Sequence, residues 1–557
     1  MEALALVRAF DAPDAEVRLA ALARSAAPVR RALAALAGQL VAAKAWDRLG
    51  YVRPRDYAVE QLGLSARQVQ DLAHVDRALR GLPRIDAAFV AGELTWTKVR
   101  LLCRVATAAD EDAWLDLAKR VTARALAREV RAVDTRALEA GGAIETDEDG
   151  VEEVPRETVW LRVTPRVRAR WGRARLLARQ MAGEALSQAD IAEVIAAEVN
   201  SALGVDVDRG PLTLCCSPGR SPSRPREPGA NECASHALPD LPAFLAPLVE
   251  NLESLDAIEL DARLRRALRT EQRLLSEMAP LLLEVARSRA YRSRGFPNLA
   301  AFARERLGMS PRKAQALLRL ERAGDLCPEL RAAFRGGSLS WVQAHTLIPV
   351  LEVEHSQPWR AAWVAHAATV TVRRLEDDVE RALATGQLDP CSLAEEVQTG
   401  AQSTDAGETI KLFFTAPVDV ARLFKGLLAT VQRRIERKSG RTASESEALD
   451  AMLEHCFATW ARASARIPSE HRVFERDGWR CTVPGCSSMR NLHSHHIVFR
   501  SDQGPDDAWN RTALCAAHHH RCVHERLGRI HIRGRAPDAL RFEMPLATYG
   551  PGERILR

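Results

Sequence analysis

Aromatic residues are scarce, at 5% of 557 positions, and that removes many of the flat, bulky side chains that strands prefer. With Ala, Leu and Arg abundant, helix is the expected dominant element. No segment of about 18 residues is apolar and free of charge, so no helical membrane span is expected. The opening Met1-Glu-Ala-Leu-Ala-Leu-Val-Arg lacks a basic stretch followed by an apolar run, and the expectation is an unexported, cytoplasmic protein with no membrane partner. Eleven cysteines in so long a chain, odd in number and with four of them near the C-terminus, do not make a disulfide framework; a reducing compartment suits them. Lysine is absent from His471 to Arg535, where eleven arginines face six acids for a net +5, leaving the rest of a +6 chain nearly neutral. A cationic patch of this kind suits a polyanion, because phosphate neutralisation supplies affinity whatever the base sequence.

The length requires several cores, and the front of the chain is a duplication. At a constant offset of 245, Gly50-Tyr51 matches Gly295-Phe296, Tyr57 matches Phe302, and Leu62-Gly63-Leu64-Ser65 matches Leu307-Gly308-Met309-Ser310. Gly92 and Trp96 likewise meet Gly337 and Trp341. The repeat continues through an apolar strand-like stretch, 158–165 in one copy and 410–417 in the other, each leading into two helical segments. Residues 1–135 are thus read as helical copy 1, 136–157 as an acidic spacer and 158–208 as strand, helix, helix. Residues 209–259 form a Pro/Ser/Arg linker and lead-in, 260–393 helical copy 2, 394–409 a polar spacer, and 410–466 the second strand, helix, helix. A His/Cys module over 467–535 and a tail over 536–557 complete the chain.

Within each copy a glycine turn and a serine N-cap join two helices, which reads either as a DNA-reading helix-turn-helix exposing Arg67 and Gln70 (Arg312 and Gln315 in copy 2) or as an ordinary helical hairpin. Trp96 and Trp341 are expected to anchor cores rather than to stack on bases. Cys216, Cys233 and His236 in the linker have too irregular a spacing for a metal site.

The C-terminal module is dense in imidazole and sulfur. Cys481 and Cys486 flank a Pro-Gly turn, and Cys515 and His518 sit three apart at the start of a helix, so that four donors make a closed Cys₃His tetrahedron for one structural zinc. His495 and His496 are neighbours on an expected strand and must point to opposite sides. One is therefore expected to hold a cation and the other to take a proton from water. On the following helix, α-helical geometry favours His520 with His524, while the register of the zinc site favours His519, and both stay open.

The string from Arg472 to Arg533, with Cys…Cys, Leu-x-x-His-His-Ile, Gly, Asn, Leu-Cys-x-x-His-His and a last His, resembles the HNH endonucleases of the ββα-metal superfamily. The resemblance implies that His495 binds a catalytic divalent ion (Mg²⁺, Mn²⁺ or Zn²⁺), that two later histidines among His519, His520 and His524 complete its shell, that His496 is the general base, and that Asn510 fixes the loop carrying it. Arg511 stands where the family commonly has an aliphatic residue, and one extra residue separates His519 from His524. The duplicated front resembles the uncharacterised helical regions that precede HNH modules in actinobacterial and related bacterial proteins.

The expected protein is mainly α, with two copies of a helical unit bearing a short strand and then a small zinc-stabilised α+β (ββα-metal) nuclease module. Its expected function is metal-dependent hydrolysis of DNA phosphodiesters, with Arg476, Arg480, Arg500 and Arg511 on phosphates and the helical units positioning DNA, recognising it or forming a homo-oligomer. The alternative is a non-catalytic DNA-binding or assembly protein with a structural zinc only; a fusion toxin fits less well.

Overall fold

Apolar residues recurring every third or fourth position fold as helices through most of the chain, and the molecule is mainly helical. The computed structural model describes residues 15–139, 156–182, 186, 188–203, 239–391, 409–463, 471–489, 491–524 and 529–556. The linker with Cys216, Cys233 and His236, and most of the two spacers, lie outside the described residues. No helix of the described residues is long and apolar enough to cross a membrane.

The duplication is visible element by element. Copy 1 runs α1 (Ala15–Ala42), α2 (Ala66–Leu79), α3 (Ala123–Glu139), β1 (Arg156–Val163), α4 (Pro165–Ala182) and α5 (Gln188–Leu203). Copy 2 repeats it with α6 (Ala257–Ser288), α7 (Pro311–Leu326), α8 (Val372–Thr385), β2 (Ile410–Pro417), α9 (Val418–Ser439) and α10 (Glu445–Ala463). Shorter helices lie between these. Serine hydroxyls start the equivalent helices α2 and α7, Ser65 accepting from Gln68 N at 3.2 Å and Ser310 from Lys313 N at 3.1 Å, each cap contributing about 1 kcal/mol.

The glycines before these caps have φ of +62° at Gly63 and +63° at Gly308, a region closed to most residues with a Cβ. Space excludes a side chain as well. A Cβ at Gly63 would lie 2.7 Å from Ser340 Cβ, and one at Gly308 would lie 2.9 Å from Thr95 Cβ. Each copy's turn is thus pressed against the start of the tryptophan helix of the other copy, and the helix-turn-helix phrase serves as a joint between copies. Gln70, Arg312 and Gln315 stay exposed. Trp96 and Trp341 are partly buried, against Phe89 and Phe334 respectively. The long helices α1 and α6 pack together and share a buried ion cluster, in which Glu271 accepts from Arg30 Nε at 3.0 Å and Lys313 Nζ at 3.1 Å.

Two units result, and neither is a contiguous stretch of chain. One holds 1–149, 239–402 and 468–557; the other holds 150–238 and 403–467. In the second, β1 and β2 pair antiparallel, Val163 opposite Ile410 and Arg156 opposite Pro417. Alternation buries Val159, Leu161, Leu412 and Phe414 beneath α4, α5, α9 and α10, where Trp171 stacks on Phe414 at 5.8 Å. The two units thus cut across the linear order of segments. Each copy gives its earlier helices to the first unit and its strand with the two helices that follow to the second, because a single strand has no partner until its duplicate arrives.

The C-terminal module belongs to the first unit. It comprises α11 (His471–Arg476), the antiparallel pair β3 (Leu492–His496) and β4 (Arg511–Cys515), a π-helical turn (His518–Val523), and a four-stranded sheet of β5 (His531–Arg535), β6 (Ala539–Glu543), β7 (Thr548–Gly550) and β8 (Arg554–Leu556). A boundary at residue 535 falls inside the β5–β6 hairpin, in which Arg535 pairs with Ala539. The tail is thus part of the fold: Ile530, Leu540, Phe542 and Tyr549 share a core with Leu49, Tyr51 and Tyr57 of copy 1.

Candidate metal centres

The Cys481–Cys486 knuckle is shaped by its turn. Cys486 N donates to Val483 O at 3.0 Å, and Cys481 N to Ser488 O at 2.9 Å. Cys515 ends β4 and His518 opens the π turn, which brings both to the knuckle. The donor atoms of Cys481, Cys486, Cys515 and His518 all lie within 4.8 Å of one another, and all four residues are buried. Such a set can hold a metal such as zinc.

The tautomer of His518 is legible from its far nitrogen. Nε2 lies 3.2 Å from Gly50 O, and a carbonyl only accepts, so Nε2 carries a proton and Nδ1 is the nitrogen left to an ion. Nδ1 lies 3.4 Å from Cys481 Sγ and 3.3 Å from Cys515 Sγ, facing the place an ion would take. Burial opposes charge on His518, but the two sulfurs outweigh it and raise its pKa well above the usual imidazole range. Hydrogen bonds from Cys481 and Cys486 pull the Cys515 thiol far down, and the same grouping pushes Cys486 up. A cation bound there would take the place of the proton that the sulfurs favour on His518.

Both helical copies clasp this knuckle. Arg373 of α8 donates through Nη1 to the carbonyls of Cys481 (3.1 Å), Val483 (3.4 Å) and Cys486 (2.6 Å). From copy 1, Asp56 accepts from Ser487 Oγ at 2.6 Å. Glu60 accepts from Val372 N and Arg373 N at 2.7 and 2.9 Å, and burial lifts its carboxyl to about 7 against those bonds.

The second centre is built of imidazole alone. Along β3, His493 and His495 point to one side and Ser494 and His496 to the other. His495, 2% exposed, has its ring 5.3 Å from that of His519 and 5.2 Å from that of His524, with 4.7 Å between the last two. One ligand atom from each of the three lies within 4.8 Å of the others. Burial, and then the neighbouring imidazoles, push His495 down to about 3 and His519 to about 4, keeping both neutral and able to donate a lone pair. His519 Nδ1 is buried with no hydrogen-bond partner among the described residues.

Of the two pairings left open, this grouping brings His519 rather than His520 to His524. Residues 518–523 form a π turn, and His524 N donates to His519 O, five residues back, at 3.3 Å. A π turn aligns positions five apart. His519 therefore meets His524, and the extra residue between them is absorbed. His520 turns instead to His493, their rings 4.9 Å apart.

On the opposite side of β3, His496 Nε2 lies 2.7 Å from Asp506 Oδ1. A carboxylate accepts, so Nε2–H donates and the lone pair is on Nδ1. Asp506 is held down to about 2 by Arg500 and by His496 itself. The loop between is pinned by Asn510, which is wholly buried. Its Nδ2 donates to Val498 O (3.1 Å) and Pro505 O (2.8 Å), and its Oδ1 accepts from Val498 N (2.8 Å).

The four arginines differ in their freedom. Arg476 donates to Asp477 and to the carbonyls of Ala508 and Arg511, and Arg480 pairs with Asp377 of α8 at 2.7 Å. Arg511 pairs with His496 across the ladder, with Nε on Ser494 Oγ at 2.9 Å. Arg500 is 70% exposed beside Asp506. Sequence reasoning did not single out His493 or Asp506. The period-two spacing from His495 was a signal for the first; nothing local announces the second, which reaches His496 across a ten-residue loop. Compared with family models, curated proteins and solved structures, the chain matches none, and the chemistry of the two centres is what carries a functional reading.

Proposed function

We propose that this chain is a metal-dependent endonuclease that hydrolyses DNA phosphodiester bonds, in the manner of the HNH family that its C-terminal module resembles. The observation that carries the reading is the convergence of His495, His519 and His524 on one side of β3 with His496, backed by Asp506, on the other. The three imidazoles fit a divalent cation: two are held neutral by burial, and His519 Nδ1 has no hydrogen-bond partner among the described residues. When bound there, a cation would neutralise charge on the scissile phosphate and the departing 3′ oxygen. His496 takes the proton of the attacking water on Nδ1, while Asp506 holds its tautomer through Nε2. Asn510 keeps the 497–505 loop, and with it the strand end, in place. Arg500 and Arg511 lie beside His496 and are the arginines suited to phosphate; Arg476 and Arg480 act within the fold. Cys481, Cys486, Cys515 and His518 hold a structural zinc that secures the module to both helical copies.

Incubating the full chain with plasmid and Mg²⁺, Mn²⁺ or Zn²⁺ tests this. Ion-dependent nicking that His496→Ala lowers about 100- to 10,000-fold is expected. Absence of nicking with every ion, or nicking unchanged in the variant, refutes it. The clasp of Arg373, Asp56 and Gly50 on the knuckle favours one other reading, an assembly module with the structural zinc alone. That reading predicts no cation site beyond the thiolate cluster.

A further inference from the structure

His519 stands between two groups of imidazoles. On one side are His495 and His524; on the other are His493 and His520, whose rings lie 5.0 and 4.7 Å from that of His519. The ligand atoms of His493, His519 and His520 again fall within 4.8 Å of one another. Their positions follow from two periodicities. Strand spacing puts His493 one rung from His495 on the same face, and the π turn presents His519 and His520 side by side towards that face. His493 is half-buried and His520 exposed, so this second trio opens to solvent more than the first does.

The geometry points to a second divalent-cation seat, formed by His493, His519 and His520, that competes with the first seat for His519. Competition follows from the ligand itself. A neutral imidazole has one lone pair, its other nitrogen carrying a proton, so His519 serves one seat at a time. The donor set defines the class of cation. Three imidazoles without a carboxylate suit Zn²⁺, Co²⁺, Ni²⁺ or Cu²⁺ and disfavour Mg²⁺ and Ca²⁺, which require oxygen. The more exposed seat would thus capture a cation of this borderline class and draw His519 away from His495 and His524.

The test reads bound metal and is independent of cleavage, so its outcome stands whether or not the nuclease reading does. Zinc-loaded full-length protein is dialysed against Co²⁺, and both metals are counted by elemental analysis beside the visible cobalt spectrum. One cobalt per wild-type chain is expected, with one zinc retained. His524→Ala, which opens the first seat, still takes one cobalt, as does His493→Ala, which opens the second; the spectra of the two variants differ. The double variant His493→Ala/His524→Ala loses at least about tenfold in cobalt affinity, the scale of one ligand lost. Both positions lie at the surface or half-buried, and a zinc count of one verifies that each variant is folded. Loss of cobalt from His524→Ala alone, wild-type affinity in the double variant, or two cobalt ions on the wild-type chain would overturn the proposal.

Discussion

The two candidate metal centres of the C-terminal module share one short turn, His518 belonging to one and His519 to the other, yet they are built to opposite specifications. The thiolate centre has four buried donors, a second-nitrogen bond from His518 to Gly50, and carbonyls tied to Arg373. It is a closed shell, with no position left for a substrate. The imidazole centre has three neutral donors, one buried, one half-buried and one exposed, and leaves one side to solvent. Closed shells with sulfur hold structure, and open ones with nitrogen leave room for chemistry. The contrast teaches that the density of histidine and cysteine in this stretch is two solutions and not one large cluster.

Breaking the closed centre should have the largest effect. Cys481→Ser, or removal of zinc by a strong chelator, leaves buried thiols with no ion and frees the knuckle from both copies. Since structural zinc contributes roughly 10 kcal/mol or more to small zinc modules, the C-terminal module should lose its fold, read as rapid limited proteolysis after residue 467 and a fall in melting temperature. Protease resistance unchanged from wild type would show that the shell is dispensable. Breaking the open centre should leave the fold alone. His519→Ala should keep one zinc and the wild-type melting temperature while abolishing ion-dependent nicking; a variant that loses zinc as well would merge the two centres into one.

Asn510→Ala comes next. It removes three hydrogen bonds from a buried site, leaving backbone groups unpaired at about 1–3 kcal/mol of stability, and loosens the loop between His496 and Asp506. Thermal denaturation and nicking should both fall, whereas zinc content stays at one. The smallest effect is one of pH. In metal-free imidazole seats, His495 and His519 titrate near 3 and 4 when folded, below the usual imidazole value near 6.5. The unfolded chain binds more protons between these values, so stability present above pH 6.5 declines as pH falls towards 4. His519→Gln should flatten that slope in denaturation series at pH 7 and pH 5, and an unchanged slope would assign it to other groups.

Much of this contrast was legible before any coordinates. The Cys-x₄-Cys knuckle and the Cys-x₂-His step are local spacings, and ligand geometry converts local spacing directly into a shared point. Strand alternation likewise separated His495 from His496, and the offset of 245 exposed the duplication. The remainder depends on features that spacing does not encode. Nothing in His518–Val523 distinguishes a π turn from an α turn, and that difference decides whether His519 or His520 meets His524. Asp506 reaches His496 only because Asn510 folds the loop back. Arg476 and Arg480 read as free cations until tertiary partners, Asp477 and Asp377, are known. The pairing of β1 with β2 joins residues about 250 apart, and no single copy predicts it.

The most direct measurement is a metal count on one protein before and after mild chelation, compared with His519→Ala. Two pools are predicted for the wild type: one zinc that resists mild chelation and needs Cys481, and one exchangeable cation that supports nicking and is missing from His519→Ala. A single pool, or an exchangeable cation untouched by loss of His519, would contradict the account.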